Sequence, residues 1–252
     1  MEVKNHVILF LDILGYKNLI QNCDNRNIEN SYLHKIHDLM ANLSIYIEKR
    51  NADVDEKNGK YNLRISRFKS LIFSDNILFF APYENETDMH NLYMNLLYGL
   101  SEFLVQYTKE DIFFRGAITK GNLYYDDTLH FIFGSGLVKA YELESEMAIY
   151  PRVIIDDSLN PSPILVGLAQ DKEQKWYFDY LSLGYNLICD CRKDGEYFEY
   201  FLACLKEQGN AISNALKKYH DNKRILIKYQ WLADYHNNFC TKQGFTEMLA
   251  KL

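Results

Sequence analysis

The run from His6 to Tyr16, HVILFLDILGY, constrains this chain more than any other stretch. Val7, Ile8, Leu9, Phe10 and Leu11 are apolar on both strand faces, the pattern of a central strand covered on each side. Asp12 follows at once, and Ile13-Leu14-Gly15 makes a tight exit. A carboxylate at the end of a buried strand is costly unless paired, and a metal ion is a common partner. Residues 71–80, LIFSDNILFF, repeat the device: two apolar runs flank Ser74-Asp75-Asn76, as in a hairpin with Asp75 at its turn. Capping of the following helix is the plainer role for Asp12; the repetition at Asp75 favours a divalent-cation site.

The remaining chain alternates strands and helices. Residues 16–50 carry Leu33, Ile36, Leu39, Met40, Leu43, Tyr46 and Ile47 at helical spacing, and 51–60 read as an exposed connection containing Asn58-Gly59. A helix is expected over 90–107, with Thr87 or Asp88 placed to cap it. Residues 111–123 read as a strand, 124–130 as a polar excursion, 136–147 as a helix and 152–156 as a short strand. The order β, α, β, β, α, β, α, β predicts an α+β fold with a ferredoxin-like palm: a mixed sheet with flanking helices. Asn160-Pro161-Ser162-Pro163 marks a break, so residues 1–157 form the expected site-bearing domain. Residues 158–252 add one or two strands, 176–181 and 185–191, and a helical C-terminal extension packed on the core or on a dimer interface.

Composition excludes several classes. Lys plus Arg number 28 against 34 Asp plus Glu, which argues against nucleic acid as a partner. The five cysteines are odd in number and contain no CxxC pair, so neither a disulfide framework nor a zinc knuckle is signalled. Cys189 and Cys191 fall where a strand would point both thiols one way. No HxxxH or HxH spacing suggests zinc, and His236 reads as a structural hydrogen-bonder. No apolar run reaches membrane length, and the expected setting is cytoplasmic, without a membrane.

Four stretches carry a resemblance. Residues 10–16, FLDILGY, and 73–76, FSDN, resemble the two metal-binding motifs of class III nucleotide cyclases. Residues 115–121, RGAITKG, are similar to the family's next strand, and Phe133-Gly134 with the helix after it stands where the family has its catalytic helix. The resemblance covers residues 5–156. It implies that Asp12 and Asp75 bridge two Mg2+ or Mn2+ ions, that the Ile13 carbonyl adds a ligand, and that the amides of Leu14, Gly15 and Tyr16 meet phosphates at a helix start. It also implies a nucleoside triphosphate substrate and a homodimer with shared sites. The positions that read adenine in purine cyclases hold Leu71 and Phe131, and the transition-state Asn and Arg positions hold Val138 and Glu142. An apolar pair cannot hydrogen-bond a purine edge. That combination, with 133–156 and 228–239, resembles the divergent Pycsar-type cyclases of bacterial anti-phage defence, which form cyclic CMP or cyclic UMP.

Arg115 sits in an apolar strand and needs an anion. Its candidate partners are the reacting phosphates, a pyrimidine edge, or Asp126 or Asp127. Lys120, Tyr16 and Arg67 are further candidates for phosphate or base, whereas Glu142, Glu144 and Glu146 read as a solvated helix face. Three functions stay open: a pyrimidine nucleotide cyclase, an inactive cyclase-like domain that senses a nucleotide or a partner, and another palm enzyme such as an oligonucleotide or cyclic dinucleotide synthase.

Overall fold

The computed structural model describes residues 3–17, 34, 38–39, 67–129, 131–191 and 195–251. The helices expected within 16–50 and the connection at 51–60 lie almost wholly outside them. The chain forms β1 (Lys4–Ile13), β2 (Lys69–Phe73), β3 (Asn76–Pro82), α1 (Glu86–Thr108), β4 (Phe114–Asp126), β5 (Phe131–Phe133), α2 (Ser135–Glu142), a π-turn (Leu143–Met147) and β6 (Val153–Ile155). There follow β7 (Leu168–Gln170), β8 (Trp176–Phe178), α3 (Tyr180–Cys191), α4 (Gly195–Lys218) and α5 (Lys223–Gln243).

The strands make a mixed sheet of order β2-β3-β1-β4-β6-β8-β7, with β5 pairing β4. β1 lies between β3 and β4 and is antiparallel to both, while β6 runs parallel to β4. The first four strands therefore stand in the ferredoxin-like order expected of the palm, and the fold is α+β.

Alternation along β1 decides the layers. Val7, Leu9, Leu11 and Ile13 enter the main core with Leu92, Leu96 and Leu100 of α1 and with Phe201, Leu205 and Phe239 of the C-terminal helices. Ile8 and Phe10 face the other way, onto Ala140 of α2 and Leu78, Phe80 and Leu123. Asp12 continues that second face. Helix α2 lies close to the sheet because Gly121 and Gly136 meet: a Cβ on Gly121 would stand 2.7 Å from the Gly136 Cα.

Several expectations change. The cap of α1 is Asn85, whose side chain accepts from the Asp88 amide; Asp88 itself holds Arg67. β4 runs on through Tyr124, Tyr125 and Asp126, because pairing with β5 satisfies the backbone of what reads as a polar excursion. Residues 180–191 are helical, so Cys189 and Cys191 do not share a strand face. Burial of Tyr180, Leu181 and Leu183 against α1, with Ser101 Oγ donating to the Tyr180 carbonyl at 2.9 Å, favours the helix. The strand β7 is not anticipated at all. Tyr185, Phe201, Phe239 and Phe245 form one aromatic cluster inside the fold, whereas Tyr197 and Tyr200 of α4 are exposed. His236 is fully buried, its ring nitrogens 2.8 Å from Gln208 Oε1 and from the Met248 carbonyl.

Candidate active site

Asp12 is placed by register. It stands opposite Asn76 on β3 and Arg115 on β4, at the rim of the sheet where β1 ends. Asp75 reaches the same rim through the β2–β3 hairpin, whose turn is Ser74-Asp75 with Ser74 in the left-handed region (φ 57°). The Ile13 amide donates to the Asp75 carbonyl at 3.1 Å and ties that turn to the end of β1. Two carboxylates 63 positions apart are thereby brought side by side, and the Asp75 carboxyl acts directly on Asp12.

Arg115 joins them. Its Nε donates to Asp12 Oδ2 at 2.6 Å and lies 2.9 Å from Glu144 Oε1. The second contact is a charge contact without hydrogen-bond alignment, so Glu144 Oε1 has no hydrogen-bond partner among the described residues. Glu144 is 3% exposed. The π-turn after α2 carries it there; such turns are frequent at functional sites. Lys228, on the first turns of α5, is within electrostatic reach of Asp12, Glu144 and Arg115.

Three carboxylates thus face two cations at a half-buried rim. Burial pushes Asp12 above its usual range, with Asp75 adding to the rise and Arg115 opposing it. Burial also raises Glu144; the charges of Asp12 and Asp75 add to this, while Arg115 and Lys228 oppose it. Lys228 is lowered, first by burial and then by Arg115 and Arg224. Counted by formal charge, the three carboxylates exceed Arg115 and Lys228 by one.

That imbalance tests the fit to a divalent cation. Asp12 and Asp75 supply hard oxygen donors at adjacent strand ends, and a pair of carboxylates completed by substrate phosphates is how Mg2+ is usually held. Among the described residues no three His, Cys, Asp or Glu side chains are spaced to hold an ion jointly. The pair fits the cation, and Arg115 stands between it and Glu144.

No family model matches the chain, and no curated protein matches it. Among solved structures it is similar to the crystal structure of the adenylyl cyclase CyaB from P. aeruginosa, at 16% identity over 70% of this chain and 94% of that one, with a TM-score of 0.40. It is also similar to the crystal structure of the guanylyl cyclase Cya2, at 15% identity over 70% and 92%, again with a TM-score of 0.40. Likeness at that level assigns no chemistry; the functional reading rests on the residues of the site.

The other residues singled out in the sequence divide. The Ile13 side chain is buried in the core. The Leu14 amide donates to the Phe113 carbonyl at 2.8 Å, so it is already engaged. Gly15 takes the left-handed conformation at the exit (φ 79°), and Tyr16 packs on the core. Leu71 shares an apolar cluster with Ile132, whereas Phe131 points to the other side, against Phe133 at 5.3 Å. Lys120 stands opposite Val7, on the sheet face away from Asp12, and pairs with Glu86 at 2.9 Å. Arg67 donates to the Pro82 carbonyl at 2.6 Å. Arg115 pairs with Asp12 and Glu144, not with Asp126 or Asp127. Val138 and Glu142 are exposed on α2.

Glu144 and Lys228 are the members that sequence reading missed. Glu142, Glu144 and Glu146 look alike in the sequence, and only the π-turn singles out the middle one. Nothing in residues 223–243 ties Lys228 to a site more than eighty positions away.

Proposed function

We propose that the chain is a divalent-cation-dependent nucleotide cyclase that converts CTP or UTP to the 3′,5′-cyclic monophosphate and pyrophosphate. The observation that carries this reading is the meeting of Asp12 and Asp75 at one sheet rim, next to a guanidinium. In the reaction a bond forms between the ribose 3′-oxygen and the α-phosphorus. The bond from that phosphorus to the bridging oxygen of pyrophosphate breaks, and the 3′-hydroxyl proton passes to solvent. Divalent cations, when bound, lower the pKa of the hydroxyl and neutralise the triphosphate. Asp12 and Asp75 would hold them. Arg115 is placed to meet charge developing on the phosphates, a role suited to a planar, permanently charged donor. Leu71, clustered with Ile132, offers apolar surface to the base and no partner for a purine edge.

The same reading takes the enzyme as a homodimer and a second-messenger synthase in anti-phage defence. Exposed Phe73, Val138 and Tyr141, on the β2–β3 hairpin and α2, supply apolar surface for a second copy. A second reading, nucleotide binding without turnover, is favoured by one observation: the positions matched to the catalytic Asn and Arg carry exposed Val138 and Glu142. Incubation with each of the four ribonucleoside triphosphates and Mn2+, followed by mass spectrometry, separates the two. Cyclic CMP or cyclic UMP is expected, and it should be lost in Asp12→Ala and in Asp75→Ala while each variant stays folded. Turnover of ATP or GTP alone would refute the pyrimidine preference. Nucleotide binding without any product would favour the second reading.

A further inference from the structure

Arg115 has two carboxylate neighbours, and the proposed cation site needs one of them. Its Nε–H points along one direction and is aligned on Asp12 Oδ2 at 2.6 Å. Glu144 Oε1 lies 2.9 Å from the same nitrogen, buried and without a hydrogen bond from any described residue. A buried carboxylate oxygen left in that state is unfavourable unless another state of the molecule satisfies it. Realigning one N–H, with little movement of either backbone, would supply the missing bond.

The competition at Asp12 makes that realignment useful. While Arg115 holds Oδ2, its positive charge opposes the approach of a divalent cation to Asp12. We propose that Glu144 is a positioning residue: it receives Arg115 from Asp12 when a divalent cation binds to the Asp12–Asp75 pair, and so frees the pair while keeping the guanidinium beside the phosphates. This rests on the reading of Asp12 and Asp75 as the cation site. The charge of Lys228 on α5 also acts on Glu144, so the C-terminal helices contribute to the field in which Arg115 is shared.

Direct binding of Mn2+ alone, followed by the paramagnetic resonance of the free ion, tests this on the full chain without nucleotide. The wild type is compared with Asp75→Asn, Glu144→Gln, Arg115→Gln and the double variant Glu144→Gln/Arg115→Gln. Glu144→Gln keeps the side-chain volume but removes the charge that receives Arg115, and it is expected to weaken Mn2+ binding by about 10- to 100-fold. In the Arg115→Gln background the competitor is gone, so the same change should have little effect. Equal Mn2+ affinity in wild type and Glu144→Gln overturns the proposal. Equal weakening in both backgrounds also overturns it, because Glu144 would then act by charge or ligation without Arg115. A wild type that binds no Mn2+, or an Asp75→Asn variant that binds it as tightly as the wild type, overturns the cation-site reading and this proposal with it.

A second measurement needs no altered Glu144. In wild-type chain labelled with 15N, the Arg115 Nε resonance, identified by its loss in Arg115→Gln, should shift when Mg2+ is added. A resonance unmoved at saturating Mg2+ overturns the transfer.

Discussion

Replacing Gly116 with alanine tests the strand pair that sets the site. Gly116 lies on β4 beside Arg115 and opposite Leu11 of β1. A Cβ there would stand 2.2 Å from the Phe10 carbonyl oxygen, 2.8 Å from Leu11 Cδ2 and 3.2 Å from Leu11 Cα. Carbon–oxygen approaches between strands normally settle at about 3.3–3.6 Å, so the shortfall is about 1 Å. The nearest atom is backbone and cannot rotate away, so β1 and β4 must separate along the pair that carries Asp12 and Arg115. Overpacking of this kind costs about 1–3 kcal/mol, and the backbone neighbour puts Gly116→Ala near the top of that range. The less flexible unfolded chain returns about 0.4–1 kcal/mol. The net loss is about 2 kcal/mol, equivalent to a fall in Tm of about 4–8 °C for a chain of this size. Urea denaturation followed by circular dichroism measures it. Gly195→Ala is the control: a Cβ there meets nothing within 4 Å, and alanine at a helix start should leave stability unchanged or slightly raised. A Gly116→Ala chain with the wild-type urea midpoint would refute the close approach of β1 and β4.

Two further predictions concern the parts that join the C-terminal helices to the sheet. Tyr235 of α5 accepts from the Leu181 amide at 3.0 Å and donates to Asp179 Oδ1 at 2.8 Å; Tyr235→Phe should cost about 1–3 kcal/mol in urea denaturation and leave Mn2+ binding as in the wild type. A loss below about 0.5 kcal/mol would show that water replaces the hydroxyl. Asp171 is paired with buried Arg152 at 2.6 Å; burial would raise its carboxyl, but the Lys175 and Glu173 amides and Arg152 outweigh it, and the group is held below its ordinary value of 3.8. A lowered carboxyl adds stability above the unfolded value and loses it as the pH falls through the folded one. The urea midpoint should therefore drop more steeply between about pH 5 and pH 2 in wild type than in Asp171→Asn; parallel curves would refute the linkage.

Much of the palm was legible from local pattern. The apolar run of β1, the Ser-Asp-Asn turn and the helical period of α1 are written in neighbouring residues, where strand alternation, turn chemistry and helical spacing act over a few positions. Residues 185–191 misled because a short apolar run fits either period. Burial of Tyr180, Leu181 and Leu183 against α1 decided for the helix. Tyr124 to Asp126 misled for the converse reason: polar residues make an acceptable strand once β5 is there to pair with it.

The site divides along the same line. The sequence by itself marked Asp12 and Asp75 as candidates, since one carboxylate ends an apolar strand and the other sits in a polar turn between two apolar runs. Tertiary structure alone decided who the partners are. The register of β1 on β4 set Arg115 against Asp12, and the π-turn after α2 carried Glu144 into the interior. The packing of α5 brought Lys228 within reach. A charge shows in the sequence that it must be balanced, but the balancing group is chosen by distance in space, which strand register and helix packing set.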